Sequence, residues 1–173
     1  MKLIDCLLYE KMRAEAEVSA RKRVHYCLHA SADDAVQRLV VAMEPGTYIR
    51  PHRHADPLKW ELFIALKGRA AVLVFDGEGV VRSVVELAAN GAAPAVEIPA
   101  GAWHTLIIKE PGTLLVEVKP GPYQPLPAED FARWAPPEGD PAAIRFEQML
   151  HRLAVGAAVN FELLNAGKDE PQS

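Results

Sequence analysis

His52-Arg53-His54, then Glu61, then the stretch Pro99-Ala100-Gly101-Ala102-Trp103-His104 hold the residues of this chain whose types and spacing point to chemistry. Imidazole nitrogens suit borderline divalent metals such as Fe(II), Zn, Ni and Cu, and one Glu oxygen adds charge without filling the shell. Histidines at i and i+2 on an extended segment point the same way, because side chains alternate between faces. An ion held by His52 and His54 therefore sits on one side of a sheet, with Glu61 and His104 able to complete four ligands. The set provides for one divalent transition metal per chain and for no second one. Its identity stays open among Fe, Zn, Mn and Ni.

Such ligands need a frame of short strands, and the central sequence supplies one. Arg38–Met43, Thr47–Arg50, Trp60–Leu66, Ala70–Phe75, Val80–Leu87, Ala95–Ile98, Trp103–Ile108 and Thr113–Lys119 read as strands. Turn residues divide them, among them Pro45-Gly46, Lys67-Gly68, Asp76-Gly77-Glu78-Gly79, Asn90-Gly91 and Pro111-Gly112. Many short strands at this spacing imply a sandwich or small barrel. Residues 5–20 read as a helix, with Leu7, Leu8, Met12 and Ala16 at helical spacing. Residues 120–141 are Pro-rich and should run irregularly over the surface. Ile144–Leu164 reads as an amphipathic helix, Ile144, Met149, Leu153 and Phe161 among its apolar positions, and a polar tail follows over Gly167–Ser173. The expected organisation is an N-terminal helical extension (1–36), a β-barrel (37–119), and a Pro-rich segment with a C-terminal helix packed on the barrel (120–173).

Composition narrows the function classes. The 173 residues fit one domain with short extensions, and a hydrophobic fraction of 50% gives it a proper core. A formal net charge of −4 argues against a nucleic-acid or anionic-membrane binder. Cys6 and Cys27 are the two cysteines, too few for a disulfide framework. The N-terminal stretch mixes charges into its apolar residues and lacks a signal-peptide core. No run approaches the roughly 18 apolar residues that span a bilayer. The expectation is a cytoplasmic protein.

The residues resemble the cupin superfamily and, within it, the WbuC-type cupin-fold metalloproteins. The first cupin motif, G-x5-H-x-H-x3-4-E-x6-G, falls on Gly46, His52, His54, Glu61 and Gly68, with six residues rather than three or four between His54 and Glu61. The second, G-x5-P-x-G-x2-H-x3-N, falls on Pro99, Gly101 and His104, while Ala93 and Ile108 stand where the leading Gly and terminal Asn would be. The WbuC likeness rests on longer strings: residues 21–23, His29, Gln37-Arg38, the run from Glu44 to His54, and Gly121-Pro122-Tyr123. It covers about residues 1–135 and leaves the Ile144–Leu164 segment unmatched. The resemblance implies an all-β core, a double-stranded β-helix or jelly-roll barrel with helical extensions at both ends and a metal inside. It also implies a place in bacterial surface-polysaccharide (O-antigen, lipopolysaccharide) biosynthesis, without a defined reaction.

Strand alternation adds neighbours to that interior. If His52 and His54 face inward, so do Arg50 and Tyr48; if Glu61 does, so do Lys59 and Phe63. Leu106 and Ile108 would line the wall beside His104, and Glu117 shares a face with Leu115 and Lys119. Arg50 reads either as an anchor for an anionic ligand or as an ion-pair partner of Glu117 or another buried acid. Lys59 reads as a pocket residue or as a solvated strand start, His29 as a residue at the pocket mouth or a capping histidine, and Tyr48 as packing or entrance. His25 and His151 lie outside any constellation and read as surface groups.

No catalytic residue follows from this pattern. It supports a metal-dependent enzyme acting on a small anionic or sugar-like substrate. A non-enzymatic binding or sensing cupin and an Fe(II) dioxygenase stand as alternatives, since the fold does not select the reaction. The expected partner is an anionic small molecule, and the expected assembly is a homodimer.

Overall fold

Runs such as Val40-Val41-Ala42-Met43 and Ala70–Phe75 are apolar on both phases of the strand alternation, so both faces of their sheets must be covered. The structure, a computed structural model that describes residues 1–159, provides that cover. Eight strands make two antiparallel sheets: β1 (Arg23–Cys27), β2 (Val36–Met43), β3 (Glu61–Lys67), β4 (Arg69–Phe75), β5 (Val81–Ala88), β6 (Ala95–Ile98), β7 (Trp103–Ile108) and β8 (Thr113–Pro120). One sheet has the order β1-β2-β8-β3-β6 and the other β5-β4-β7. From β5 onward, strands consecutive in sequence alternate between the two sheets, as in a jelly-roll barrel.

Three apolar layers result. Between the sheets lie Val41, Met43, Phe63, Val72, Leu106, Ile108 and Leu115. Outside the larger sheet, Tyr9, Met12 and Ala16 of helix α1 (Cys6–Val18) pack on Val40, Ala42 and Leu114. Asp5 caps this helix by accepting the Leu8 N–H at 2.9 Å. Outside the smaller sheet, Phe146 and Leu150 of helix α2 (Ala142–Leu150) pack on Leu73, Phe75, Val81 and Ile107. At the β3–β4 turn, Gly68 has φ +72° and a Cβ there would collide with Thr113, so this turn requires glycine.

Four features differ from the sequence reading. Arg23–Cys27 is a strand rather than part of a helical extension; it adds to the barrel's edge by pairing with Leu39–Met43. Thr47–Arg50 is not a strand but an irregular extended passage. The C-terminal helix ends at Leu150, and residues 151–159 return to the sheet through a bridge between Val80 and Ala158. The end expected for that helix, including Phe161 and Leu164, and the tail Gly167–Ser173 lie outside the described residues. The Pro-rich 120–141 passage is irregular as expected, with one 3-10 turn at Ala128–Asp130. It nonetheless buries Asp130, Ala132 and Ala135 and so belongs to the wall.

The α2 packing predicts a sharp contrast. Phe146→Ala, at a fully buried ring, should cost about 3–5 kcal/mol. Ile144→Ala, on the exposed side of the same helix, should change stability by less than about 0.5 kcal/mol. Urea unfolding of both variants checks this, and equal small losses would detach α2 from the core.

Candidate metal centre

The passage between β2 and β3 is held in place by backbone pairing on both sides. His52 and His104 exchange N–H···O bonds of 3.0 and 2.8 Å, which ties the passage to β7. On its other side Arg53 N–H donates to Asp130 O and Ala132 N–H to Pro51 O, both at 2.9 Å. Pro51, with no N–H to satisfy, contributes only its carbonyl. Gly101 N–H donates to His54 O at 2.7 Å, and φ +79° lets Gly101 make that turn. Glu61 opens β3 opposite Ile98.

This framework brings His52, His54, Glu61 and His104 together, with one ligand-capable atom of each within 4.8 Å of all the others. Among the described residues it is the group of His, Cys, Asp or Glu side chains so arranged. Glu61 and His104 are buried, and His52 and His54 are half-buried. The ring tautomers follow from their partners. His52 Nδ1 lies 2.9 Å from Arg50 O and His104 Nδ1 lies 2.9 Å from Ala102 O. A carbonyl can only accept, so both Nδ1 atoms carry hydrogen and both Nε2 atoms face the cluster. His104 Nε2 sits 2.9 Å from Glu61 Oε2, and His54 Nε2 sits 3.1 Å from Glu61 Oε1. That last contact lacks hydrogen-bond alignment and leaves His54 Nε2 buried without a partner.

The electrostatics bias His52 and Glu61 toward their unprotonated forms. Burial, reinforced by the neighbouring His104, pushes the His52 imidazole down to about 3. Burial alone would raise the Glu61 carboxyl, but the His104 and His54 rings and the Lys119 ammonium hold it well below the usual carboxylate range. The imidazole nitrogens of His104 and His54 lie about 3 Å from the Glu61 oxygens. Donor atoms about 2.1 Å from a common ion and at right angles are themselves about 3 Å apart. The orphaned His54 nitrogen and these separations fit a divalent metal.

Lys119 and Glu117 complete the polar floor; they share a face as expected, but Glu117 pairs with Lys119 rather than with Arg50. Lys119 Nζ lies 3.0 Å from Glu61 Oε1 and 2.6 Å from Glu117 Oε1. The β3–β8 register, Phe63 opposite Glu117, carries Lys119 to the Glu61 end of the strand. Burial raises the Glu117 carboxyl. Alternation along β8 was the available signal; what it lacked was the partner strand.

The substrate candidates separate. Arg50 and Lys59 line the adjoining cavity of about 490 Å³, together with apolar Met43, Ile49, Phe63 and Leu106. Arg50 pairs with neither Glu117 nor another acid among the described residues; its Nη2 donates to Ala132 O at 2.8 Å. Tyr48 is not in the cavity. Its hydroxyl donates to Pro136 O at 2.8 Å and its ring meets Phe146 edge-on at 5.9 Å. The irregular backbone at 47–50 breaks the strand phase that would have turned it inward. His29 is also elsewhere: it accepts the Arg38 N–H on Nδ1 at 3.0 Å and serves the β2 edge. His25 is exposed, as expected, and also borders the cavity. His151 pairs with Glu147 at 2.7 Å, one helical turn away.

A family model described as a domain of unknown function (DUF6016) matches residues 4–87. That span includes His52, His54 and Glu61 and stops before His104. No curated protein matches the sequence. Among solved structures the chain is similar to KdgF from Halomonas sp. (16% identity, 62% of this chain and 85% of that one, TM-score 0.47). It is similar to a cupin-2 domain protein from Shewanella frigidimarina (21% identity, 57% and 80%, TM-score 0.43). It is also similar to the DMSP lyase DddQ from Ruegeria pomeroyi (22% identity, 68% and 56%, TM-score 0.48), of whose length it spans just over half.

His25 provides a pH test free of the ligands. Desolvation at the cavity rim, and then the charges of Arg23, Arg21 and Lys119, push its half-screened imidazole down to about 4, whereas an unfolded histidine titrates near ~6.5. Because the folded value is depressed, the unfolded chain binds the extra proton, and stability falls as pH drops from about 6.5 to 4. His25→Gln removes that contribution. The melting temperature of metal-free His25→Gln, taken relative to the native sequence, should therefore rise as pH falls across this window. A difference independent of pH would mean that His25 titrates normally.

Proposed function

We propose that this chain is a metal-binding protein of the cupin type. His52, His54, Glu61 and His104 hold one divalent transition metal, and the adjoining cavity takes a small anionic or sugar-like molecule. The observation that carries the reading is the arrangement of lone pairs. Two rings are locked by backbone carbonyls with Nε2 facing a buried carboxylate, and a third ring nitrogen is buried without a partner.

When bound, such a metal acts as a Lewis acid that polarises a carbonyl or hydroxyl oxygen. This chain's own groups do the rest. Lys119 keeps one Glu61 oxygen in place, the Nδ1–carbonyl bonds fix the His52 and His104 rings, and the apolar wall excludes water from one side of the cavity. A metal-dependent enzyme is the reading favoured by the cavity. A non-enzymatic small-molecule binder and an oxygen-using Fe(II) enzyme share the same ligands. The role in surface-polysaccharide biosynthesis and the cytoplasmic location rest on the sequence resemblance and charge pattern. No helix among the described residues is long and apolar enough to cross a membrane. The homodimer is likewise a proposal, supported by the exposed apolar Leu3, Ile4, Leu7 and Val18 of the N-terminal segment; light scattering tests it.

The metal test is direct. After reconstitution in turn with Fe, Mn, Ni, Co and Zn, elemental analysis should return one metal per chain, lost on chelation. His104→Ala and Glu61→Gln should lower metal affinity by more than the roughly 10–100-fold typical of residues behind the ligands, while His151→Ala should leave it unchanged. Equal retention by His104→Ala and His151→Ala would remove the site.

A further inference from the structure

The cavity's charges are paired unevenly. Five basic and five acidic side chains line it, yet every acid is engaged. Glu61 and Glu117 share Lys119. Glu138 holds Arg21 and Arg23, each at 2.7 Å. Asp130 holds Arg53 at 3.0 Å, and exposed Asp56 accepts the Leu58 N–H at 2.9 Å. Arg50 and Lys59 are left as the cavity's cations with no carboxylate partner among the described residues. Lys59 Nζ donates to the carbonyls of Pro120 and Pro122, at 3.2 and 2.8 Å. Arg50 gives one bond to Ala132 O, and its Nε is buried with no acceptor.

A buried donor on a charged group is costly to leave unmatched, and a carboxylate or phosphate oxygen is the acceptor that a guanidinium fits best. Phe131 fixes where that acceptor would sit. The Arg50 guanidinium lies 5.3 Å from the Phe131 ring centroid, and the His52 ring lies 6.4 Å from it. The cation and the His/Glu cluster thus adjoin the same phenyl ring, close enough for one small molecule to reach both. A cavity of about 490 Å³ falls within the ~300–1,000 Å³ of small-molecule sites.

We infer that the ligand is a small two-headed anion. A hydroxy-acid or oxo-acid end lies at the His/Glu cluster, a second carboxylate or phosphate lies on Arg50, and Lys59 attracts the charge from the other side of the wall. This rests on the metal reading above for the first end and on Arg50 alone for the second.

Calorimetry on the metal-loaded full chain separates the two ends. L-malate is compared with L-lactate, and 3-phosphoglycerate with glycerate; each pair shares a chelating end and differs in the second anion. The two-headed probes should bind at least about tenfold tighter, and the pair with the larger ratio identifies the second group. Arg50→Gln should abolish that preference, a loss of about 10- to 150-fold as expected for a hydrogen bond to a charged group. Bound metal and lactate affinity should not change. Arg50→Lys, which keeps the charge and loses the fork, should fall between, and it serves if Arg50→Gln does not fold. No preference in the native chain, or a preference that survives Arg50→Gln, overturns the inference. So does a lowered melting temperature with an unchanged preference, which would make Arg50 structural. Should the chain bind no metal, butyrate against butyramide, followed by ligand NMR on the metal-free protein, reads the Arg50 site alone. Binding of butyrate that disappears in Arg50→Gln would keep the anion site while the metal reading fails, and equal binding of the two would remove it.

Discussion

The paired backbone hydrogen bonds between His52 and His104 are the contact on which the rest of the site depends. Two ligands separated by 52 positions become neighbours because their own main chains exchange donors and acceptors. The rings then inherit their places from the backbone, with centroids 4.5 Å apart. Each ring is fixed further by a carbonyl two residues before it, Arg50 O for His52 and Ala102 O for His104. This local device selects the tautomer without recruiting another side chain. A carboxylate in the same role would have added a second buried negative charge beside Glu61.

Burying Glu61 still requires compensation, because an unpaired charge in a low-dielectric interior is strongly destabilising. Lys119 supplies part of it, and Glu117 shares that lysine. Burial raises the Glu117 carboxyl, and the Lys119 ammonium beside it opposes that rise. The arrangement leaves one Glu61 oxygen committed to Lys119 and the other facing His104. A cation entering the cluster therefore meets a carboxylate that is already oriented. Preorganisation of this kind is what a binding site gains from groups behind its ligands.

Much of this was legible in the sequence, and the reasons differ by element. Ala95–Ile98 and Trp103–Ile108 were readable to the residue, because turn chemistry bounds both ends of each. That His52, His54, Glu61 and His104 would come together was readable because motif order and local spacing coincide. Arg23–Cys27 was not: it is a short edge strand with alternating exposure, and its neighbours Arg21 and Lys22 look like the end of a helix. Tyr48 was misplaced because the alternation rule was applied through a passage with no strand partner at that point. The Lys119–Glu61 contact was missed for the complementary reason, since it passes through β-pairing between distant segments, which no local pattern contains. The C-terminal helix was drawn too long because apolar spacing continues past Leu150, where those residues in fact turn back toward β5.

The Pro-rich passage shows how composition can understate function. Prolines at 122, 125 and 127, just past the end of β8, oppose regular structure, and irregular surface was the natural reading. Yet the same passage supplies Asp130 O and the Ala132 N–H that flank His52, and the Phe131 ring between His52 and Arg50. Its route is set from outside: a Cβ on Gly121 would collide with the Asp34 carbonyl, and Lys59 binds the carbonyls of Pro120 and Pro122. Prolines lack the N–H that would compete for such acceptors, so their carbonyls remain available to cations and to neighbouring chain. A segment that cannot form its own hydrogen-bonded structure is thereby suited to complete another's, and here it lines the cavity shared by the histidines and Arg50.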